Sequence, residues 1–164
     1  MPLLRMINEF RTVRALLGNA ERIARGLGEE LPGAEHLLLS ALELPDGTAR
    51  RAFERLGRSP DGLPAAIAAQ HRSALASVGI VVEDEPAPTP LPNARGAFRS
   101  TPAAQAAFRR AVELSGTPKP RRLLGAHVLL ALSEQEHGTV ARTLKAMGIE
   151  RGALADAARA VLPR

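Results

Sequence analysis

The stretch Gly33-Ala34-Glu35-His36-Leu37-Leu38-Leu39-Ser40-Ala41-Leu42 decides the fold, because the chain uses it twice. At a shift of 91 residues His36 falls on His127, Leu38 on Leu129 and Leu39 on Leu130. The same register pairs Glu43 with Glu134, Gly47 with Gly138, Thr48 with Thr139, Arg51 with Arg142, Gly57 with Gly148 and Leu63 with Leu154. No gap interrupts it from 36 to 63. The preceding segment repeats at a shift of 87, with Ala20 on Ala107, Arg22 on Arg109, Ala24 on Ala111 and Leu27 on Leu114. The loop Gly116–Arg122 absorbs the difference between the two registers. One helical unit used twice is the simplest source of such a match.

Each unit reads as helices. Val13, Leu16, Leu17, Ala20, Ile23, Ala24 and Leu27 recur at three- and four-residue steps and make one apolar stripe, with Gly28 as a stop. The segment His36–Leu42 is apolar nearly all round and predicts the buried helix, with Leu38, Leu39, Leu129 and Leu130 in the core. Pro45-Asp46-Gly47 breaks it, Thr48 reads as the N-cap of Ala49–Leu56 and as a candidate ligand-binding residue, and a short helix from about Asp61 to Gln70 closes the unit. Between the units, about 79–99 holds prolines and the acidic triplet Glu83-Asp84-Glu85 without helical period, and predicts an extended linker. Ser100-Thr101-Pro102 then starts the second unit, whose stripe is Ala104, Ala107, Phe108, Ala111 and Leu114.

Composition agrees with an all-α class. Of 164 residues, 45% are hydrophobic and only 2% aromatic, so the core is built from Leu, Ala, Val and Ile. The β-branched alternation that a sheet would need is sparse. The expectation is one domain over 1–164, with repeat one at about 10–71, the linker at about 79–99 and repeat two at about 100–162.

The order helix, Leu-Gly loop, Gly-Ala-Glu-His-Leu-Leu-Leu, Gly-Thr-Ala helix and Leu-Gly turn resembles the Clp N-terminal repeat. Copy one carries Leu27-Gly28, Gly33–Leu39, Gly47-Thr48-Ala49 and Leu56-Gly57; copy two carries Gly125–Leu130, Gly138–Ala141 and Met147-Gly148. The resemblance spans about Phe10 to Leu162 and is nearest to the tandem N-domain of ClpC- and ClpA-type unfoldases. It implies two pseudo-symmetric four-helix units in one bundle and a non-catalytic role in protein recognition, with Clp substrates, adaptors or Clp subunits as partners. Two departures stand out: Ala126 replaces the repeat's glutamate in copy two, and the linker is longer and richer in proline than the family pattern.

For Glu35 and His36 two readings stand side by side. A carboxylate at a helix start is stabilised by the helix dipole, and His36 can satisfy a local backbone group. The resemblance adds that the glutamate position holds the guanidinium of an arginine-phosphorylated substrate, with helix N-termini on the phosphate. Ala126 then leaves at most one such site, in copy one. Phe10 and Phe98 precede the first helices of the two copies; each staples its helix, or, by the resemblance, lies on a surface that meets cyclic-peptide ligands and regulatory partners.

Other chemistries find little support. No G-x-x-x-x-G-K-[ST] loop or G-x-S-x-G elbow occurs, so neither ATP hydrolysis by a P-loop nor serine hydrolase chemistry is expected, and no cofactor. His71 and His137 stand alone in the sequence, without the neighbours that a zinc site needs, so no metal is expected. The net charge of +5 and the pairs Arg50-Arg51, Arg109-Arg110 and Arg121-Arg122 offer a nucleic-acid alternative. The lack of aromatic platforms and 17 interleaved acids favour a solvated face instead. Without Cys, and with Arg5, Glu9 and Arg11 interrupting the first apolar stretch, a cytoplasmic location without a membrane span is expected.

Overall fold

A computed structural model describes residues 2–83, 86–116 and 122–163, with side chains from Ile7 onward. Its elements are α1 (Pro2–Gly26), α2 (Ala34–Glu43), α3 (Thr48–Arg55), a 3₁₀ turn (Pro60–Gly62), α4 (Leu63–Ser77), α5 (Pro102–Ser115), α6 (Gly125–Ser133), α7 (Thr139–Ala146) and α8 (Arg151–Val161). No strand occurs among the described residues. The repeat is therefore physical: α1–α4 and α5–α8 follow the same order. The loop that absorbs the change of register lies mostly outside the described residues.

α2 and α6 form the centre. Leu37, Leu38, Ala41, Val128, Leu129 and Leu132 are all buried in one apolar cluster that runs through both halves. α1 packs on α2 and α5 on α6, while α3 crosses to α8 and α4 to α7, so each half closes the other. A chain almost without large aromatics fills this space with Leu and Ala, and Phe53 is the one fully buried phenylalanine among the described residues.

Three expectations need correction. α1 begins at Pro2, not near Val13, and Phe10 lies inside it rather than ahead of it. Copy two has Thr101 as an N-cap, its hydroxyl accepting from the Ala104 N–H, followed by Pro102 in the first turn. Copy one has neither signal at Arg14-Ala15, and Thr12 bonds back to the Asn8 carbonyl within the helix. Leu39 is only partly buried, whereas Leu38, Leu129 and Leu130 are buried. The cause is an asymmetry: α8 lies closely along α6, but α4 touches α2 only at its edge. Leu39 is left on a groove of 460 Å³ with Ile23, Leu27, Pro60 and Pro64. Finally, Thr48 is the first residue of α3 and Gly47, at φ 67°, is the N-cap. The Thr48 hydroxyl serves another helix.

The remaining connections follow the sequence. Gly28 takes φ 79° after α1, as a left-handed helix stop requires. The described residues of 79–99 contain no helix. This linker is tied to the end of α1, where the Leu91 N–H donates to the Arg25 carbonyl and the Arg25 side chain to the Pro92 carbonyl.

Candidate functional site

The start of α2 gathers the chemistry. Gly33 is extended at the N-cap, and its N–H donates to His36 Nδ1 at 2.8 Å. The imidazole thus caps the helix, and with Nδ1 accepting, the neutral ring carries its proton on Nε2. That Nε2 is fully buried, has no hydrogen-bond partner at ordinary length, and faces Glu29 Oε1 at 3.5 Å. Glu35, one residue inside the helix, folds its carboxylate back over Gly33; a Cβ there would lie 2.5 Å from Glu35 Oε2. Glycine at 33 is the space this carboxylate occupies. In copy two the equivalent pair is Leu124 and Ala126: with the carboxylate gone, a side chain fits.

His71 reaches this cluster from α4, which its isolation in sequence concealed. Its Nε2 stands 3.3 Å from Glu35 Oε1 and its Nδ1 3.8 Å from Glu29 Oε1. Burial pushes the Glu29 carboxyl upward, but the neighbouring His36 Nε2–H, at 3.5 Å, and the His71 imidazole outweigh it and hold it below its usual value. One ligand atom each from Glu29, Glu35 and His36 lies within 4.8 Å of the others, close enough to invite a metal. A histidine that binds zinc through Nε2 donates its Nδ1–H to a neighbour. Here Nδ1 accepts the Gly33 N–H, so the Nε2 lone pair is taken by a proton. The donor set does not fit a metal.

The start of α6 shows the alternative state of the same motif. His127 caps it as His36 caps α2, with Nδ1 accepting the Leu124 N–H at 3.0 Å. Burial pushes the His127 imidazole below its usual value, partly offset by the charge of Asp46. Asp46 comes from the other half: its carboxylate accepts the Gly125 N–H at 3.2 and 3.4 Å. Thr48 Oγ accepts the Ala126 N–H at 2.9 Å and donates its own proton to Asp46. A Cβ on Gly125 would lie 2.9 Å from the Ala41 carbonyl and 3.0 Å from Ala49 Cβ, so this helix start is sealed.

The repeat register puts His137 and Thr139 where α2 would need an Asp46 and a Thr48. Among the described residues, no carboxylate from the second half closes α2. Instead Gly33, Ala34 and Glu35 open into a cavity of 240 Å³ whose other walls include Glu29, Thr139 and Arg142. The first N–H groups of a helix lack intrahelical acceptors, and among the described residues no side chain from outside α2 bonds those of Ala34 and Glu35. Arg142 lies 3.3 Å from Thr139 Oγ1, which accepts from its guanidinium. The α2 side thus carries the Glu29 and Glu35 carboxylates together with helix N–H donors, and the facing side offers a hydroxyl and a guanidinium.

The sequence matches the family model described as Clp repeat (R) N-terminal domain over residues 11–147. The chain belongs to this family. Among curated proteins no sequence matches it. Among solved structures, it is similar to the N-terminal domain of the caseinolytic protease associated chaperone ClpD from Arabidopsis thaliana. That match has a TM-score of 0.56 at 22% identity and covers 92% of this chain and 90% of that one, a likeness of fold.

The other sequence-predicted residues of this Clp repeat domain lie apart from the α2 cavity. Phe98 is 38% exposed and lines a largely apolar groove of 500 Å³ with Leu17, Leu37, Phe108 and Val112, between α1 and α5. Phe10, inside α1 and 71% exposed, does not line that groove. Thr48 is buried in the α6 cap. Arg110 is paired with Glu134 and Glu113, and Arg50 with Asp61. Arg121 falls outside the described residues. Asp46 was missed in the sequence; its one signal was the mismatch with His137 in an otherwise well-matched register.

Proposed function

We propose that this chain is a non-catalytic recognition domain of the Clp protease system, taking substrates or adaptors through the cavity at the start of α2. Glu35 anchors a guanidinium; the α2 N–H groups, Thr139 and Arg142 receive an anion attached to it. Phosphoarginine in a protein substrate has this chemistry. The single observation that carries the reading is Asp46: at the equivalent place in copy two the same helix start already holds an anionic group of the chain itself. The helix start is competent for an anion, and only in copy one is it open. Glu35 also has a local role beside His71, which binding would share rather than replace.

The groove at Phe98 supports a second contact for an apolar or cyclic-peptide ligand, since its floor is Leu17, Leu37 and Phe108. Nucleic-acid binding gains nothing, because Arg50 and Arg110 are engaged by carboxylates. No helix among the described residues is long and apolar enough to cross a membrane, and a cytoplasmic setting fits a Clp partner. Titration calorimetry with phosphoarginine should give one site per chain, weakened roughly ten- to a hundredfold by Glu35→Ala through loss of a charged hydrogen-bond partner. Two equal sites would overturn the reading; absence of binding would leave Glu35 its local role alone.

A further inference from the structure

The carboxylate that this reading assigns to the ligand already has a partner. Glu35 faces the cavity on one side and His71 on the other, with the His71 imidazole placed between Glu35 and Glu29. The Glu35 side chain is 11% exposed, and the His71 side chain 39%. An imidazole changes charge between about pH 5 and 8. When protonated it is a cation shared by two carboxylates; when neutral it is at most a hydrogen-bond donor to one of them.

We propose that His71 is a proton-operated competitor of the ligand: its protonated form neutralises Glu35 and Glu29 and repels a guanidinium, and its neutral form releases them. The inference rests on the recognition reading above and adds its regulation. Two cations sharing one carboxylate stand about 6 Å apart, a repulsion of roughly a hundredfold in affinity at an effective dielectric near 20. The half-exposed ring is screened by solvent, which reduces this to about tenfold. Ligand binding at low pH is therefore accompanied by release of part of a proton.

Two carboxylates face His71. The loop before α2 contributes Glu29, and α2 contributes Glu35 and the buried Nε2–H of His36, which turns to Glu29 and not to His71. α7, packed along α4, brings Arg142 to the cavity's far wall and carries Lys145. Asp61 in the 3₁₀ turn is paired with Arg50. On its own helix the adjacent charge is Arg72. Copy two has Leu162 in the position of His71 and Ala126 in that of Glu35, so this device belongs to one half only.

The test has two arms on the full chain. Calorimetry with phosphoarginine at pH 6 and pH 8, in buffers of different ionisation enthalpy, compares the native chain with His71→Gln. We expect the native chain to bind several-fold more weakly at pH 6, tenfold being the limit for a fully protonated ring, and to release part of a proton per ligand beyond what the ligand itself releases. His71→Gln should lose both effects and bind more tightly than the native chain at pH 6. Equal pH slopes and equal proton release in the two proteins would overturn the proposal. The second arm needs no ligand: a cycle of His71→Gln and Glu35→Gln, read by melting temperature at pH 5.5 and 8. Coupling present at pH 5.5 and lost at pH 8 supports the competitor; coupling absent at both, or equal at both, overturns it. Phosphoarginine that binds at neither pH counts against the recognition reading, whatever the cycle shows.

Discussion

Replacing Asp46 by Ala should loosen the joint between the two halves, and the structure sets the size of the effect. The carboxylate accepts the Thr48 N–H at 2.8 Å, the Thr48 hydroxyl, and the Gly125 N–H from the other half. Gly125 is buried, so its amide has no ready route to water when the acceptor goes. Loss of a helix cap costs about 1 kcal/mol, and loss of a charged hydrogen-bond partner about 1.5–3 kcal/mol. Asp46 is only half-buried and Ala126 keeps its bond to Thr48, so the low end applies, about 2 kcal/mol. In a chain of this size each kcal/mol lowers Tm by about 2–4 °C, giving a fall of about 4–8 °C. Calorimetric melts at pH 7 would measure it, with Asp61→Ala as the control: an exposed pair at 3.7 Å from Arg50 should matter little. Amide exchange at Gly125 should quicken in Asp46→Ala. A fall below about 1 °C with unchanged exchange would refute the idea that Asp46 holds α6.

Three further outcomes are expected. Leu38→Ala should cost about 2–5 kcal/mol in thermal or denaturant unfolding, and Leu39→Ala clearly less, because Leu39 already meets the groove. Glu29 has a folded-state carboxyl held below its usual value, so it contributes stability above the unfolded-state value that is lost as pH falls through the folded one; Glu29→Gln should flatten the acid limb of a Tm-against-pH curve. The pure chain should show no nucleotide turnover of its own, and steady hydrolysis abolished by a point mutation in it would contradict the recognition reading.

The fold was legible because the gap-free register from His36 to Leu63 compares the chain with itself and needs no propensity scale. The cap position of His36 and the lone carboxylate of Glu35 were legible for the same reason. Thr48 was misread because helix-start signals are local, whereas its hydroxyl bonds an amide 78 residues away. His71 looked isolated because its partners lie on another helix and on the loop before it. Leu39 looked like Leu130 because the sequence does not reveal that α8 lies on α6 while α4 stands off α2. Phe10 lies inside α1 because nothing before Val13 stops a helix, although the apolar stripe begins only at Val13. The asymmetries between the halves are where the repeat ceases to predict and where the candidate site lies.

The central claim is that one helix start is open and its twin is closed by the chain itself. Backbone-amide NMR during a phosphoarginine titration tests it most directly. The amides of Ala34, Glu35 and Thr139 should move and saturate at one equivalent, while those of Gly125 and Ala126, held by Asp46 and Thr48, stay in place. Saturable shifts at Gly125 and Ala126, with Ala34 and Glu35 unmoved, would contradict it.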